Sequence, residues 1–128
     1  MAGPNGAAGR TVFIVDDDPA ILGALKFSLE IEGYAVRVFP DGRELVAIHD
    51  LPGRGCLLLD YNMPGMNGLE LLAALRGRGC QLPAIVMTSH PPPTLRDRVT
   101  AAGAALVEKP LLGNTLIAAI DAALTRRS

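Results

Sequence analysis

Tryptophan is absent from this 128-residue chain, and aromatic residues as a group make up only 4% of it. An interior must therefore be built from Leu, Val, Ile and Ala, and a hydrophobic content of 49% is enough for one domain-sized core. Neither sign of charge is in excess. A net charge of −1 leaves no electrostatic footprint for nucleic acid or an anionic membrane surface. Cysteine occurs twice, as Cys56 and Cys80, at a separation that matches no metal-ligand spacing. Cys56 adjoins an apolar run and reads as a small buried hydrophobe rather than half of a disulfide. No apolar run is long enough to cross a bilayer. Residues 1–10, rich in Gly and Ala, lack the basic start and apolar stretch of a signal peptide and read as a disordered tail. One domain over residues 11–126 and a cytoplasmic location are the simplest expectation.

Strand and helix patterns alternate along that domain. Thr11 to Val15 is a β-branched apolar run. Asp18 then suits an N-cap and Pro19 a first helical turn, with Ile21, Leu22, Leu25, Leu29 and Ile31 at helical spacing and Gly33 as the stop. Ala35 to Phe39 reads as a second strand, with Val36 and Val38 on one side, and Asp41 to His49 as a short helix. Cys56 to Leu59 is the third strand, and a helix with Leu69, Leu71, Leu72 and Leu75 follows it. Ala84 to Met87 is the fourth strand. Pro91-Pro92-Pro93 favours extended backbone and delays the fourth helix to about Thr94. Ala104 to Val107 is the fifth strand, and Asn114 to Arg126 the last helix. Strands without alternation suit a sheet buried on both faces. The strand–helix alternation implies a parallel sheet covered by helices on both sides.

Four of the apolar runs end in residues with chemistry. The first ends in Asp16-Asp17-Asp18, the third in Asp60, the fourth in Thr88-Ser89 and the fifth in Glu108-Lys109-Pro110. Parallel strands all point one way, and ligands bind outside their carboxyl ends. Carboxylates, a hydroxyl and an ammonium would then meet in one crevice.

Phe13-Ile14-Val15-Asp16-Asp17-Asp18, Leu59-Asp60-Tyr61-Asn62-Met63-Pro64-Gly65-Met66-Asn67-Gly68, Met87-Thr88-Ser89 and Glu108-Lys109-Pro110, in that order, resemble the response-regulator receiver domain of two-component signalling. The details are most similar to the receiver halves of nitrogen-fixation-type regulators. The resemblance implies a flavodoxin-like doubly wound (βα)5 sandwich, an α/β fold whose five-stranded parallel sheet runs in the order 2-1-3-4-5. It implies that Asp60 accepts a phosphoryl group from a histidine kinase or a histidine phosphotransfer protein. A carboxylate suits that task because the acyl phosphate it forms is labile. Three crowded carboxylates become tolerable around a hard cation, and Mg²⁺ takes oxygen ligands. By the resemblance, Asp17 and Asp60 ligate Mg²⁺ directly, Asn62 offers its backbone carbonyl and Asp16 acts through water. Lys109 pairs with the acceptor carboxylate and later with phosphoryl oxygens, aimed inward by a cis bond to Pro110. Thr88 bonds a phosphoryl oxygen and acts as a switch, and the Ser89 backbone N–H contacts the phosphoryl group. His90 occupies a position that tunes dephosphorylation, whereas His49 reads as surface.

The chain departs from the receiver pattern in two places. Leu106 stands where an aromatic switch residue is usual, and the three prolines stiffen the loop after the fourth strand. A stand-alone receiver is expected to act as a self-phosphorylating, slowly self-dephosphorylating phosphoacceptor rather than an enzyme. It would pass its signal to an unknown downstream protein or along a phosphorelay, without nucleic acid or membrane. A homodimer through the fourth helix, fifth strand and fifth helix is the expected self-association. The alternative is a receiver-like interaction module without turnover. A flavodoxin-type cofactor site needs a Gly/Ser/Thr-rich phosphate loop after the first strand, where this chain has three acids. A haloacid-dehalogenase-type phosphatase wants an acid two residues after Asp60, where Asn62 stands.

Overall fold

The computed structural model describes residues 11–48, 51, 54–109 and 113–127. Ten elements alternate: β1 (Thr11–Val15), α1 (Pro19–Ile31), β2 (Ala35–Phe39), α2 (Gly42–Val46), β3 (Cys56–Asp60), α3 (Gly68–Gly77), β4 (Ala84–Thr88), α4 (Leu95–Ala101), β5 (Ala105–Glu108) and α5 (Gly113–Arg127). The strands form one parallel sheet in the order β2-β1-β3-β4-β5. This is the flavodoxin-like arrangement expected from the sequence. The reading of residues 1–10 as a disordered tail falls outside the described residues, as do His49 and Pro110. Among the described residues no helix is long and apolar enough to cross a membrane.

Local chemistry explains where the helices begin and end. The Asp18 carboxylate accepts the Ala20 N–H at 2.9 Å, satisfying one of the first donors of α1, and Pro19 needs no partner there. Gly33, at φ +96°, closes α1 by donating to Glu30, while Tyr34 donates back to Leu29. Asn67 and Glu70 cap α3 reciprocally, each side chain bonded to the other's backbone N–H at 2.9 Å. The second helix is shorter than its apolar pattern suggests. Asp41 is its cap rather than its first residue, and the helix ends at Val46. The turn after it is tied elsewhere: Arg78 donates to the Ile48 carbonyl at 2.8 Å. The fourth helix starts at Leu95, whose N–H reaches the Pro92 carbonyl at 3.0 Å.

Side-chain alternation divides the core. Val12, Ile14, Leu58, Ile85 and Met87 face α1 and α5, where Leu22, Leu25, Leu29, Leu116 and Ile120 meet them. Phe13, Val15, Leu57 and Leu59 face the other way, onto Leu45 of α2 and Leu71, Leu72 and Leu75 of α3. Val86 packs with Leu95 and Val99 of α4. Cys56 is buried as expected, and both cysteines are free thiols. The central strands are buried on both faces, but the edge strands β2 and β5 are not. On β2, Arg37 lies over the rings of Phe13 and Phe39, at 6.0 and 5.6 Å, and places charge on that edge.

Candidate functional site

Sheet register brings the chemistry together. Val15 of β1 pairs with Leu59 of β3, so Asp16 and Asp60 end neighbouring strands. Asp60 pairs with Met87, and Thr88 with Glu108, which sets Thr88 and Lys109 alongside. The Lys109 backbone N–H donates to the Thr88 carbonyl at 2.8 Å and continues the ladder by one residue. Asp16, Asp60 and Thr88 are 0%, 2% and 0% exposed, and they are the buried polar residues of the described chain.

Two buried carboxylates this close need a cation, and Lys109 supplies one. Its ammonium lies 2.9 Å from Asp16 Oδ2 and 3.3 Å from Asp60 Oδ1. The expected partner was the acceptor carboxylate. The structure adds Asp16 and makes it the shorter contact. The other Asp16 oxygen accepts the Asp18 N–H at 2.9 Å, and Asp60 Oδ1 accepts the Asn62 N–H at 3.2 Å. Burial and the nearby Asp16 charge push the Asp60 pKa above its ordinary value; Lys109 and the Asn62 N–H oppose that rise without cancelling it. For Lys109, burial works against the ammonium, but the Asp16 hydrogen bond and the charges of Asp60 and Asp16 outweigh it and raise the pKa.

Asp17 is exposed at the mouth of the crevice. Carboxylate oxygens of Asp16, Asp17 and Asp60 all lie within 4.8 Å of one another. A hard divalent cation prefers such an all-oxygen donor set, and Asp17 leaves it a solvent-facing side for water ligands. A groove of about 370 Å³ opens beside Asp17, lined by Pro40, Arg43, Met63, Pro64 and Met66.

The segment after Asp60 is held by backbone contacts. Tyr61 donates to the Met87 carbonyl at 2.8 Å and accepts from Gly68 at 3.2 Å. Gly68 can only be glycine in this arrangement: a Cβ there would stand 2.7 Å from the Asp60 carbonyl oxygen. The Asn62 side chain reaches Thr88, its Nδ2 donating to Oγ1 at 3.2 Å. Ser89 and His90 are exposed. Leu106 is partly buried against the Val86–Leu95–Val99 cluster. Tyr61 joins the same cluster, and its hydroxyl accepts from Arg98 of α4 at 3.4 Å. Sequence reading missed the Asn62 side chain and Gly68. The motif spacing singled out both positions, but only the sheet register shows what they touch.

Residues 12–121 match the sequence profile described as the response regulator receiver domain. The chain is 39% identical over 116 residues to the transcriptional regulatory protein FixJ of Azorhizobium caulinodans, covering 90% of this chain and 55% of that protein. It is 39% identical over 110 residues to the C4-dicarboxylate transport transcriptional regulatory protein DctR of Rhodobacter capsulatus, covering 84% and 56%. The chain thus spans little more than half the length of these curated relatives. Among solved structures, FixJ-N superposes with a TM-score of 0.83 at 34% identity, covering 91% of this chain and 94% of that one. A CheY-like receiver domain protein from Methanospirillum hungatei superposes at 0.82 with 32% identity, covering 92% and 95%.

Proposed function

The chain belongs to the response regulator receiver domain family, and on that premise we propose that it is a phosphoacceptor whose Asp60 takes a phosphoryl group from the phosphohistidine of a kinase or phosphotransfer protein. Receiver domains are phosphoacceptors rather than enzymes of the ordinary kind. The observation that carries the proposal for this chain is the buried Asp60 held beside Lys109 and within reach of two further carboxylates.

In the transfer, an Asp60 carboxylate oxygen bonds to phosphorus while the phosphorus–nitrogen bond of the donor breaks. The imidazole, protonated on its other nitrogen, leaves as a neutral ring with the bonding pair. Charge accumulates on the three equatorial phosphoryl oxygens, and catalysis is chiefly positioning and charge stabilisation. The Lys109 ammonium, 3.3 Å from Asp60 Oδ1, is placed to face those oxygens. The Thr88 hydroxyl and the Ser89 backbone N–H are the neutral donors to them. Asp17 and Asp60 would hold Mg²⁺ directly, with the Asn62 backbone carbonyl, and Asp16 would act through water. Bound there, Mg²⁺ would neutralise the crowded carboxylates and add positive charge to that of Lys109.

Partner contacts follow from what surrounds the crevice. Phe27 and Ile31, one helical turn apart on α1, are 69% and 66% exposed, so Ile31 lies outside the buried face to which its spacing assigned it. They form an apolar row running away from the site, suited to the donor protein. Thr88, Leu106 and the face made by α4, β5 and α5 would carry the signal to a downstream protein, differently from or more weakly than in receivers with an aromatic at position 106, and a homodimer would also form there.

Intact-mass measurement after incubation with acetyl phosphate and Mg²⁺ tests the reading. One added phosphoryl group is expected in the wild type, and none in Asp60→Asn or without Mg²⁺. Absence of an adduct together with absence of Mg²⁺ binding would refute it in favour of a non-catalytic interaction module.

A further inference from the structure

Helix α4 is loosely held. Leu95 and Val99 are its buried residues, and Thr94 gives it no side-chain cap. By contrast, α1 and α3 each have a capping side chain and three buried leucines. An element with few buried contacts lies at the low-stability end of a fold, so what holds α4 matters. Leu95 and Val99 meet Val86, and the partly buried Tyr61, Leu69 and Leu106 close round them. Of the chain's three Phe and two Tyr, Tyr61 is the one in this cluster. Its hydroxyl accepts from Arg98 at 3.4 Å, and among the described residues this is the one side-chain hydrogen bond that joins α4 to the rest of the fold. Tyr61 also follows Asp60 directly, on backbone without slack: its N–H donates to the Met87 carbonyl at 2.8 Å and its carbonyl accepts from Gly68 at 3.2 Å. Asp60 pairs with Met87, so the next register position sets Tyr61 beside Thr88. Val86 faces α4, and alternation puts Thr88 on the same side. A turn of the Thr88 hydroxyl towards a phosphoryl group therefore takes place beside the residue whose ring carries α4.

We propose that Tyr61 links the acceptor site to α4: its backbone moves with the end of β3, and its ring, with the Arg98 hydrogen bond, passes that movement to the helix. This rests on the reading of Asp60 as acceptor, and it gives the signal a path from β3 besides the one through Thr88 and Leu106. A rigid ring with a large contact area passes on a displacement that a flexible aliphatic side chain absorbs. Coupling of this kind needs an element with two arrangements whose balance the site biases, and α4 is that element.

The test is amide hydrogen exchange on the whole chain, at rest and kept phosphorylated by excess acetyl phosphate with Mg²⁺, with α3 as internal reference. Phosphorylation should change exchange over Leu95–Ala101 by about tenfold in the wild type, within the usual range of coupling between sites. Arg98→Met keeps the stem and removes the donor, and Tyr61→Phe removes the acceptor. Each should cut that response about two- to fivefold, and the double variant should cut it no further than either alone. Tyr61→Leu removes the ring as well and should leave a response of less than about twofold. Arg98 is exposed on α4, and Arg98→Met should phosphorylate within about twofold of the wild-type rate, so the response is lost without the chemistry. A response unchanged in Arg98→Met or in Tyr61→Leu, additive losses in the double variant, or a phosphorylated wild type whose α4 exchanges as at rest overturns the proposal. If Tyr61→Leu does not fold, the exposed Arg98→Met decides alone. Failure of the wild type to accept phosphate at all would instead remove the reading of Asp60 on which the proposal stands.

Discussion

Replacing Lys109 by Met would remove a charge while keeping most of the side-chain volume. In the native site the ammonium lies 2.9 Å from Asp16 and 3.3 Å from Asp60, both almost fully buried. At an effective dielectric near 20, a unit charge pair at the longer distance attracts by about 5 kcal/mol, before desolvation is subtracted. Truncating one member of a buried pair typically costs about 3–5 kcal/mol, because the other charge is stranded. Lys109 is 15% exposed and Asp17 opens the crevice to water, so the lower figure of about 3 kcal/mol applies. That is a large part of the stability of an ordinary domain, and at this size it lowers Tm by about 12 °C. The loss depends on pH. Asp60 already has a raised pKa, and Lys109→Met deletes two of the influences that hold it down. A carboxyl whose folded pKa lies above its unfolded value binds its proton more tightly when folded. The folded state therefore gains relative to the unfolded as pH falls through the folded pKa, and the gain is complete below the unfolded one. The deficit of Lys109→Met should be greatest near neutrality and shrink towards acid. Mg²⁺ at about a hundred times its Kd should restore about 2.7 kcal/mol. Urea unfolding followed by far-UV circular dichroism suits a chain without tryptophan. Equal stability of mutant and wild type at neutral pH without Mg²⁺, or a deficit indifferent to pH, would refute the reasoning.

Gly68→Ala should destabilise by about 1–3 kcal/mol and slow phosphorylation as well, since the new Cβ meets the Asp60 carbonyl at 2.7 Å and backbone cannot yield as a flexible side chain does; urea unfolding and phosphorylation rate together check this. Burial pushes the Cys56 thiol pKa up to about 12, so a thiol reagent should label Cys80 alone in the native protein and both cysteines after unfolding; equal native rates would contradict the packing. Leu106→Tyr places a ring in the cluster of Val86, Leu95 and Val99, and should change phosphorylation-dependent hydrogen exchange across α4 more than it changes the phosphorylation rate.

Periodicity and caps made the architecture legible in the chain. Unbroken apolar runs marked β1, β3 and β4, and Asp18-Pro19 marked the start of α1. Apolar content misled at α2, where Ile48 continues the pattern but its carbonyl is taken by Arg78 from thirty residues away. It also gave no warning that β2 and β5, as sheet edges, are only partly buried. The convergence of Asp16, Asp60, Thr88 and Lys109 was readable because strand ends in a parallel sheet meet by topology. Pair partners were not. Whether Lys109 leans on Asp16 or Asp60, and what the Asn62 amide touches, depend on side-chain direction and register to within an ångström. Such contacts join residues 26 and 93 positions apart, a distance at which local pattern carries no information.

The central claim is that a phosphoryl group resides on one carboxylate among three that are neighbours. Phosphorylation by acetyl phosphate with Mg²⁺, followed by borohydride reduction and peptide mapping, converts a phosphoaspartate to homoserine and so records its position. The account predicts homoserine at position 60, dependent on both Mg²⁺ and donor, with Asp16 and Asp17 unchanged. Homoserine at position 16 or 17, or phosphate retained by Asp60→Asn, would contradict it.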